Sequence, residues 1–446
     1  MTADHGRRAM TADAWCAARA ERARQAGADA AQVALTTHDR FEIDVLNGAI
    51  RMVQSTRDQT VGLTVFRDGK RGAAAVNGCG DEAGNGGNDA AFDDALAAAL
   101  AAADAGLADP ANDIADAASE PPSDHGPADA DRDAMIARMA DCLDELAQRH
   151  PRIRCSGGYA FEHVQRAFAN SRGVVQRARH AFFGFGMSFV AKDAGATSSA
   201  SGSGTTSFTP FERLLDAGIT RRVLDEVERS LDAKPVPQTF VGDVILTPEC
   251  LAGFVGMLAG ALSGNALQAG TTPYKQRQGE RIAAPCFSLL NRPRAPDFPG
   301  GTTFDAYGVP TRDLDVVRDG VLADFLVDFQ MARRLGRRQT AGASNFVVPS
   351  GETPLADIIA GTKRGVLLCR FAGGAPNAHL DFSGVAKGSF YVENGAVTHP
   401  LTETMVSGNL QDLLMRITAV SRDSVNFGDG RYPYLAAGGV TISSKR

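Results

Sequence analysis

Two dipeptides, Asn47-Gly48 and Asp68-Gly69, constrain the fold more than any other feature of the sequence. Such pairs accept φ > 0 at consecutive positions, as two-residue hairpin turns require. Each sits between runs that alternate apolar and polar. Phe41-Glu-Ile-Asp-Val45 precedes the first turn and Ile50 to Gln54 returns from it. Val61-Gly-Leu-Thr-Val-Phe66 precedes the second, and Ala73 to Val76 returns. A period of two buries one face only, so four strands in an antiparallel sheet are expected, with one side covered. A cover lies upstream: residues 11–26 read as a helix, with Thr11 at the N-cap, Asp13 in the first turn and Gly27 as the stop. Helix and hairpins together predict an α+β fold.

The chain then divides by composition. Residues 90–105 form an alanine-rich helix with Phe92, Leu96 and Leu100 on one face. From Gly72 to Asp131 there is no Lys or Arg. Residues 106–131, mostly Ala, Asp and Pro, read as a solvated linker, with an acidic docking arm as the alternative. A helix over 132–149 places Met135, Ile136, Met139, Leu143 and Leu146 on one side. Strands follow at 174–180 and 182–190, then a Ser/Gly/Thr run, Ser198 to Ser207, read as a mobile loop or strand edge. That run has no P-loop lysine, so anion binding there is the lesser reading. A helix is expected over 211–231, a buried strand over 241–246 and a helix over 250–262, with strands and loops to the end. The resulting organisation is an N-terminal α+β domain (1–105), an acidic linker (106–131), a middle domain (132–234) and a large β-rich C-terminal domain (235–446).

The totals exclude several classes. A net charge of −6 gives no reason to expect nucleic acid. Seven cysteines form no CxxC pair, which favours free thiols in a reducing, cytoplasmic setting. The most apolar window, Val244 to Leu262, is interrupted by Pro248 and Glu249 and is not expected to cross a membrane. The first residues lack the apolar core of a secretory signal, and Met1-Thr-Ala-Asp4 recurs as Met10-Thr-Ala-Asp13, which makes Met10 a rival start.

Catalytic patterns are scarce. No two of the eight histidines are spaced for one helical face, so a helix-borne HExxH zinc site is excluded. A site assembled from distant residues would draw on Cys369, His379, Asp381 and His399. There is no GxSxG elbow, and Cys250 at a helix start is the other candidate nucleophile, against its plainer reading as a small buried side chain. Asp305 and Glu393, in turn-rich segments with few other charges, suit hydrogen bonding to a peptide backbone or local turn capping.

Phe304-Asp-Ala-Tyr-Gly-Val-Pro-Thr-Arg312 resembles a signature block of the TldD/PmbA family, known also as modulators of DNA gyrase. Further blocks follow in the family's order: Asp319-Gly-Val-Leu322, Ala332-Arg-Arg-Leu-Gly336, Thr340-Ala-Gly342, Gly365-Val-Leu-Leu368, Asp381-Phe-Ser-Gly384, Glu393-Asn-Gly395 and Gly408-Asn-Leu410. Upstream, Gly27-Ala-Asp-Ala-Ala-Gln-Val33 resembles the family's start, so the likeness spans nearly the whole chain. Ala306-Tyr307 replaces the usual acidic residue before Gly308, and Ala341-Gly-Ala343 departs from the pattern after Thr340. The family has a metal-bearing TldD arm with an HExxxH motif and a late cysteine. This sequence has neither and resembles the PmbA/TldE arm.

The resemblance implies a non-catalytic subunit with no catalytic residue and no metal of its own. Its partner would be an HExxxH-bearing, TldD-like chain holding a divalent zinc or iron ion. The pair would cleave unfolded peptides, such as leader segments of ribosomally made peptides or small unstable proteins. Contacts to peptide or partner are then expected from Asp305, Arg312, Thr340, Glu393, Asn394 and Asn409, each of which also fits a turn-forming role. Two alternatives stay open: a self-sufficient hydrolase with a divergent metal or cysteine site, and a peptide-binding or regulatory homodimer.

Overall fold

The computed structural model describes residues 10–78, 89–116, 118–193, 195–202, 204–340, 342, 344–374, 376–402 and 404–444. Residues 1–9, on which the choice between Met1 and Met10 bears, and Cys79 lie outside the described residues. The fold is α+β, with two antiparallel-dominated sheets.

The first sheet is built from long strands: β1 (Ala30–Leu46), β2 (Ala49–Arg67), β3 (Lys70–Asn77), β4 (Ser123–His125), β5 (Ile153–Asn170), β6 (Val175–Asp193), β7 (Ala196–Ser201) and β8 (Thr205–Ser207). Its order is β3-β2-β1-β5-β6-β4, with β7 and β8 also on β6. The expected turns form at Asn47-Gly48 (φ +52° and +84°) and Asp68-Gly69 (φ +51° and +70°). The hairpins are longer than expected, because 50–54 and 61–66 belong to one strand. Segments 174–180 and 182–190 likewise merge into β6. β1 pairs with β5 from Gln32–Asn170 to Val45–Gly157, so the N-terminal and middle regions share one sheet.

Period-two alternation decides what each face of that sheet meets. Ala31, Val33 and Leu35 pack under α1 (Ala12–Gln25) and α2 (Asp89–Ala105) with Trp15, Phe92 and Leu96. Phe41, Ile43 and Val45, on the same face, pack under α3 (Arg132–Arg149) with Met135, Met139 and Leu146. The opposite face is polar along β1 (His38, Arg40, Glu42), and at Gln32, Phe168 and Gln176 it meets the C-terminal domain.

The helix expected over 211–231 is shorter. A 3-10 turn at Leu214–Asp216 and Gly218 at φ +57° precede α4 (Thr220–Arg229), since a left-handed residue cannot continue a helix. In the C-terminal domain β9 (Phe240–Leu246) lies between the strands Arg364–Leu368 and Arg431–Ser444. Helix α5 (Pro248–Ala261) follows it and packs against Arg431–Ser444. The helix Leu355–Gly361 packs through Ile358 on Ile245 and Ala436. Among the described residues no helix is long and apolar enough to cross a membrane.

Residues 106–131 overturn the reading as a solvated linker. Ala111, Ile114 and Ala115 are buried, and Ile114 packs with Ala30 and Phe66. Around them the acidic chain is gripped from both sides. Arg172, in the turn between β5 and β6, bonds Asp113 at 2.5 Å and the Ile114 carbonyl at 2.6 Å. From the C-terminal domain, Arg334 bonds Asp109 at 2.8 Å, Arg333 bonds the Pro110 carbonyl at 3.3 Å and Arg294 bonds Glu120 at 2.6 Å. The segment is therefore a strap. Its composition lacks apolar surface, but guanidinium groups and backbone hydrogen bonds supplied by distant residues replace that surface.

Asn170 shows how specific this is. Its amide donates to the Ala115 carbonyl at 2.8 Å, and its Oδ1 accepts from the backbone N–H of Arg172 and Val174 at 3.0 and 3.1 Å. Replacing buried Asn170 by Ala is expected to cost about 2–3 kcal/mol in urea denaturation, since the strap's Ala115 carbonyl loses its partner. Replacing Leu107, which is 90% exposed, by Ser is expected to change stability by less than about 0.5 kcal/mol.

Candidate functional site

The site is built where the loop carrying Asp305 docks on the polar face of the first sheet. Asp305 Oδ1 accepts from the backbone N–H of Tyr307 (2.8 Å) and Val309 (3.0 Å), which closes the loop. Its Oδ2 accepts from Gln339 Nε2 at 3.2 Å. Burial raises the Asp305 carboxyl above its ordinary value, against the lowering effect of those N–H groups and of Arg166. Arg166, on β5, is itself buried, which lowers its value, while Asp305 opposes that shift; its guanidinium lies 4.7 Å from the Phe304 ring centre. Gly308 has φ +75°, and a Cβ there would sit 2.2 Å from Phe168, so only glycine lets the loop lie on the sheet. Gln32 and Gln176 tie the loop down through the Ala306 and Gly308 carbonyls at 3.3 and 2.9 Å.

Two clefts flank this junction. One, of about 470 Å³, is open to β1–β3 and is lined by Gln32, Arg71, Phe168 and Tyr307. The other, of about 500 Å³, lies between the strap, β6 and the segment 293–304, with His125, His180, Arg294 and Phe304 on its walls. A third groove, of about 600 Å³, runs over α5. Gly253, Gly256 and Gly260 form its floor, Met257 and Leu380 also line it, and space is open where a Cβ would stand on each of these glycines.

The residues expected to make contacts occupy three separate places. Asp305 and Thr340 are neighbours through Gln339. Thr340 Oγ1 donates to the Phe325 carbonyl (2.6 Å) and accepts from the Val327 N–H (2.9 Å). Arg312 is exposed on the same loop as Asp305. Glu393 and Asn394 lie on a distant hairpin, where Asn394 (φ +51°) and Gly395 (φ +80°) make the turn and Glu393 accepts from the Tyr391 hydroxyl at 3.2 Å. Asn409 caps the helix Leu410–Met415 and donates to Asp381 and to the His379 carbonyl, both at 2.8 Å. Sequence reasoning missed Arg166, Gln176, His125 and His180. Their register across β4, β5 and β6 brings them to the junction, and local spacing carries no sign of it.

Among the described residues no three His, Cys, Asp or Glu side chains converge as a metal site. The distant set is dispersed over other tasks. Asp381 accepts from Asn377 and Asn409. The His399 ring lies against Tyr391 with centroids 5.3 Å apart. Cys369 is buried beside the ion cluster of Arg222, Glu226, Glu249 and Arg370, which ties α4 to the C-terminal sheet. Burial, reinforced by Glu226, holds the Cys369 thiol far above its ordinary value, and burial does the same to Cys250. Neither supplies a thiolate near neutral pH.

Three family models match the chain: PmbA/TldA metallopeptidase domain 1 over residues 31–103, the central domain over 125–231 and the C-terminal domain over 239–444. The chain is 26% identical over 421 residues to a metalloprotease PmbA homolog of Haemophilus influenzae, covering 90% of this chain and 89% of that one. A structure of a candidate modulator of DNA gyrase from Bacteroides thetaiotaomicron superposes with TM-score 0.84 at 23% identity, covering 97% and 98% of the two chains. TldE from Thermococcus kodakarensis superposes with TM-score 0.79 at 21% identity, covering 95% and 99%.

Two experiments follow from this geometry. Asp305→Ala leaves the backbone N–H groups of Tyr307 and Val309 without their acceptor and is expected to cost about 1–3 kcal/mol in denaturant unfolding, whereas exposed Arg312→Ala is expected to cost under about 0.5 kcal/mol. Iodoacetamide on the native protein at neutral pH is expected to label Cys286, the one exposed cysteine among the six described, and to spare Cys250 and Cys369.

Proposed function

The chain belongs to the PmbA/TldD family of metallopeptidases, and from that membership we propose that it serves as the non-catalytic, TldE/PmbA-like subunit of a two-chain peptidase. The observation that carries this reading is the missing donor set. The sequence has no HExxxH, and among the described residues no three His, Cys, Asp or Glu side chains group as metal ligands. The metal, zinc or iron, then belongs to an HExxxH-bearing partner, and this chain supplies walls and contacts.

Unfolded peptide is the substrate class this reading assigns. The groove over α5 supports it: a floor of glycines lets an extended chain approach the helix backbone closely, and its largely apolar walls accept many side chains without selecting one. Folded proteins would be excluded by the size of the chamber that the two chains enclose. The six described cysteines are free thiols, which supports a reducing cytoplasmic setting.

The test is an assay on an unfolded peptide with this chain alone, with an HExxxH-bearing family member alone, and with both. Activity in the mixture well above the sum of the separate chains is the expected result. Hydrolysis by this chain alone, abolished by a chelator, would overturn the reading in favour of a self-sufficient hydrolase.

A further inference from the structure

The strap crosses β6 at one place where two imidazoles meet. In the parallel pairing of β4 with β6, Ser123, Asp124 and His125 stand beside Ala178, Arg179 and His180. The His125 and His180 rings are perpendicular, with centroids 5.3 Å apart. His180 Nδ1 lies 3.3 Å from the Pro299 carbonyl oxygen. A carbonyl only accepts, so Nδ1 carries the proton and the neutral ring presents a lone pair at Nε2. That Nε2 is enclosed and meets no hydrogen-bond partner among the described residues.

We propose that Ser123–His125 is an acid-released latch: protonation of His180 beside His125 drives the strap off β6 and opens the cleft between the two sheets. A proton on Nε2 would have no acceptor while the strap is docked. The charged groups around it decide the sign. On β6 itself stand Arg177 and Arg179; on β5 stands Arg166, with His163 further along; on the strap stand Glu120, Asp124 and His125; from the C-terminal domain comes Arg294. Asp124 is neutralised by Arg179 and Glu120 by Arg294 at 2.6 Å, so no free carboxylate is left to receive an imidazolium. Burial lowers the His180 value; the Pro299 carbonyl partly offsets this, and His125, Arg166 and Arg179 reinforce it. The docked strap thus favours the neutral ring. Its attachment is complete above the ordinary imidazole value of about 6.5 and weakens as pH falls below it. Lifting the strap hydrates Nε2 and separates the two rings, so the released state binds the proton more tightly. Asp124, held below the usual carboxylate range by Arg179, stays ionised through the same window.

Hydrogen exchange of the full chain tests this, with intrinsic rates corrected for pH. Protection of the amides at 123–126 is expected to fall several-fold between pH 7.5 and pH 5, while the β5–β6 ladder around Phe161–Phe183 stays protected and reports an intact fold. His180→Gln is expected to abolish the fall. Strap protection that is flat with pH in the wild type would overturn the latch. So would an equal fall in His180→Gln, which would assign the effect to other groups.

Discussion

Arginines from the first sheet, from the turn between β5 and β6 and from the C-terminal domain hold one acidic strap between them. The strap carries no Lys or Arg of its own, so its ion pairs are made with arginines elsewhere in the chain. Arg179 reaches it from the first sheet, Arg172 from the turn, and Arg294, Arg333 and Arg334 from the C-terminal domain. Single exposed pairs of this kind are worth little. Here they are joined to backbone carbonyls and to the buried side chains of Ala111 and Ile114, so the segment is anchored at those points. The strap lines one of the clefts beside the Asp305 loop, and Ala306 and Tyr307 of that loop line the other.

The same economy appears at the Asp305 junction. A half-buried carboxylate is tolerated because two N–H groups, one amide and a nearby guanidinium surround it. Its hydrogen bonds shape the loop and seat it on the first sheet, which positions cleft walls. Thr340, Asn394 and Asn409 are likewise bonded into loops, a turn and a helix cap.

Much of the fold was legible in local chemistry. Asn47-Gly48, Asp68-Gly69 and Asn394-Gly395 adopt paired positive φ because few other residues can, and the helices over 89–105 and 132–149 follow from their apolar periodicity. The start of β1 was not legible, since Ala30 to Arg40 lacks clean alternation. The strap was misread because composition counts only what a segment can bury, whereas its order comes from side chains remote in sequence. Arg166 and the His125–His180 pair were hidden for the same reason: register between distant strands assembles them. The lack of HExxxH, by contrast, is a property of the sequence itself, because that motif is a local pattern.

The central claim is that this chain completes a peptidase without holding its metal. Metal stoichiometry on the purified chain, and on its complex with an HExxxH-bearing relative, measures it most directly. The account predicts no tightly bound zinc or iron on this chain and one equivalent per pair of chains in the complex. One equivalent on this chain alone, surviving dialysis and lost with mutation of its own histidines, would contradict it.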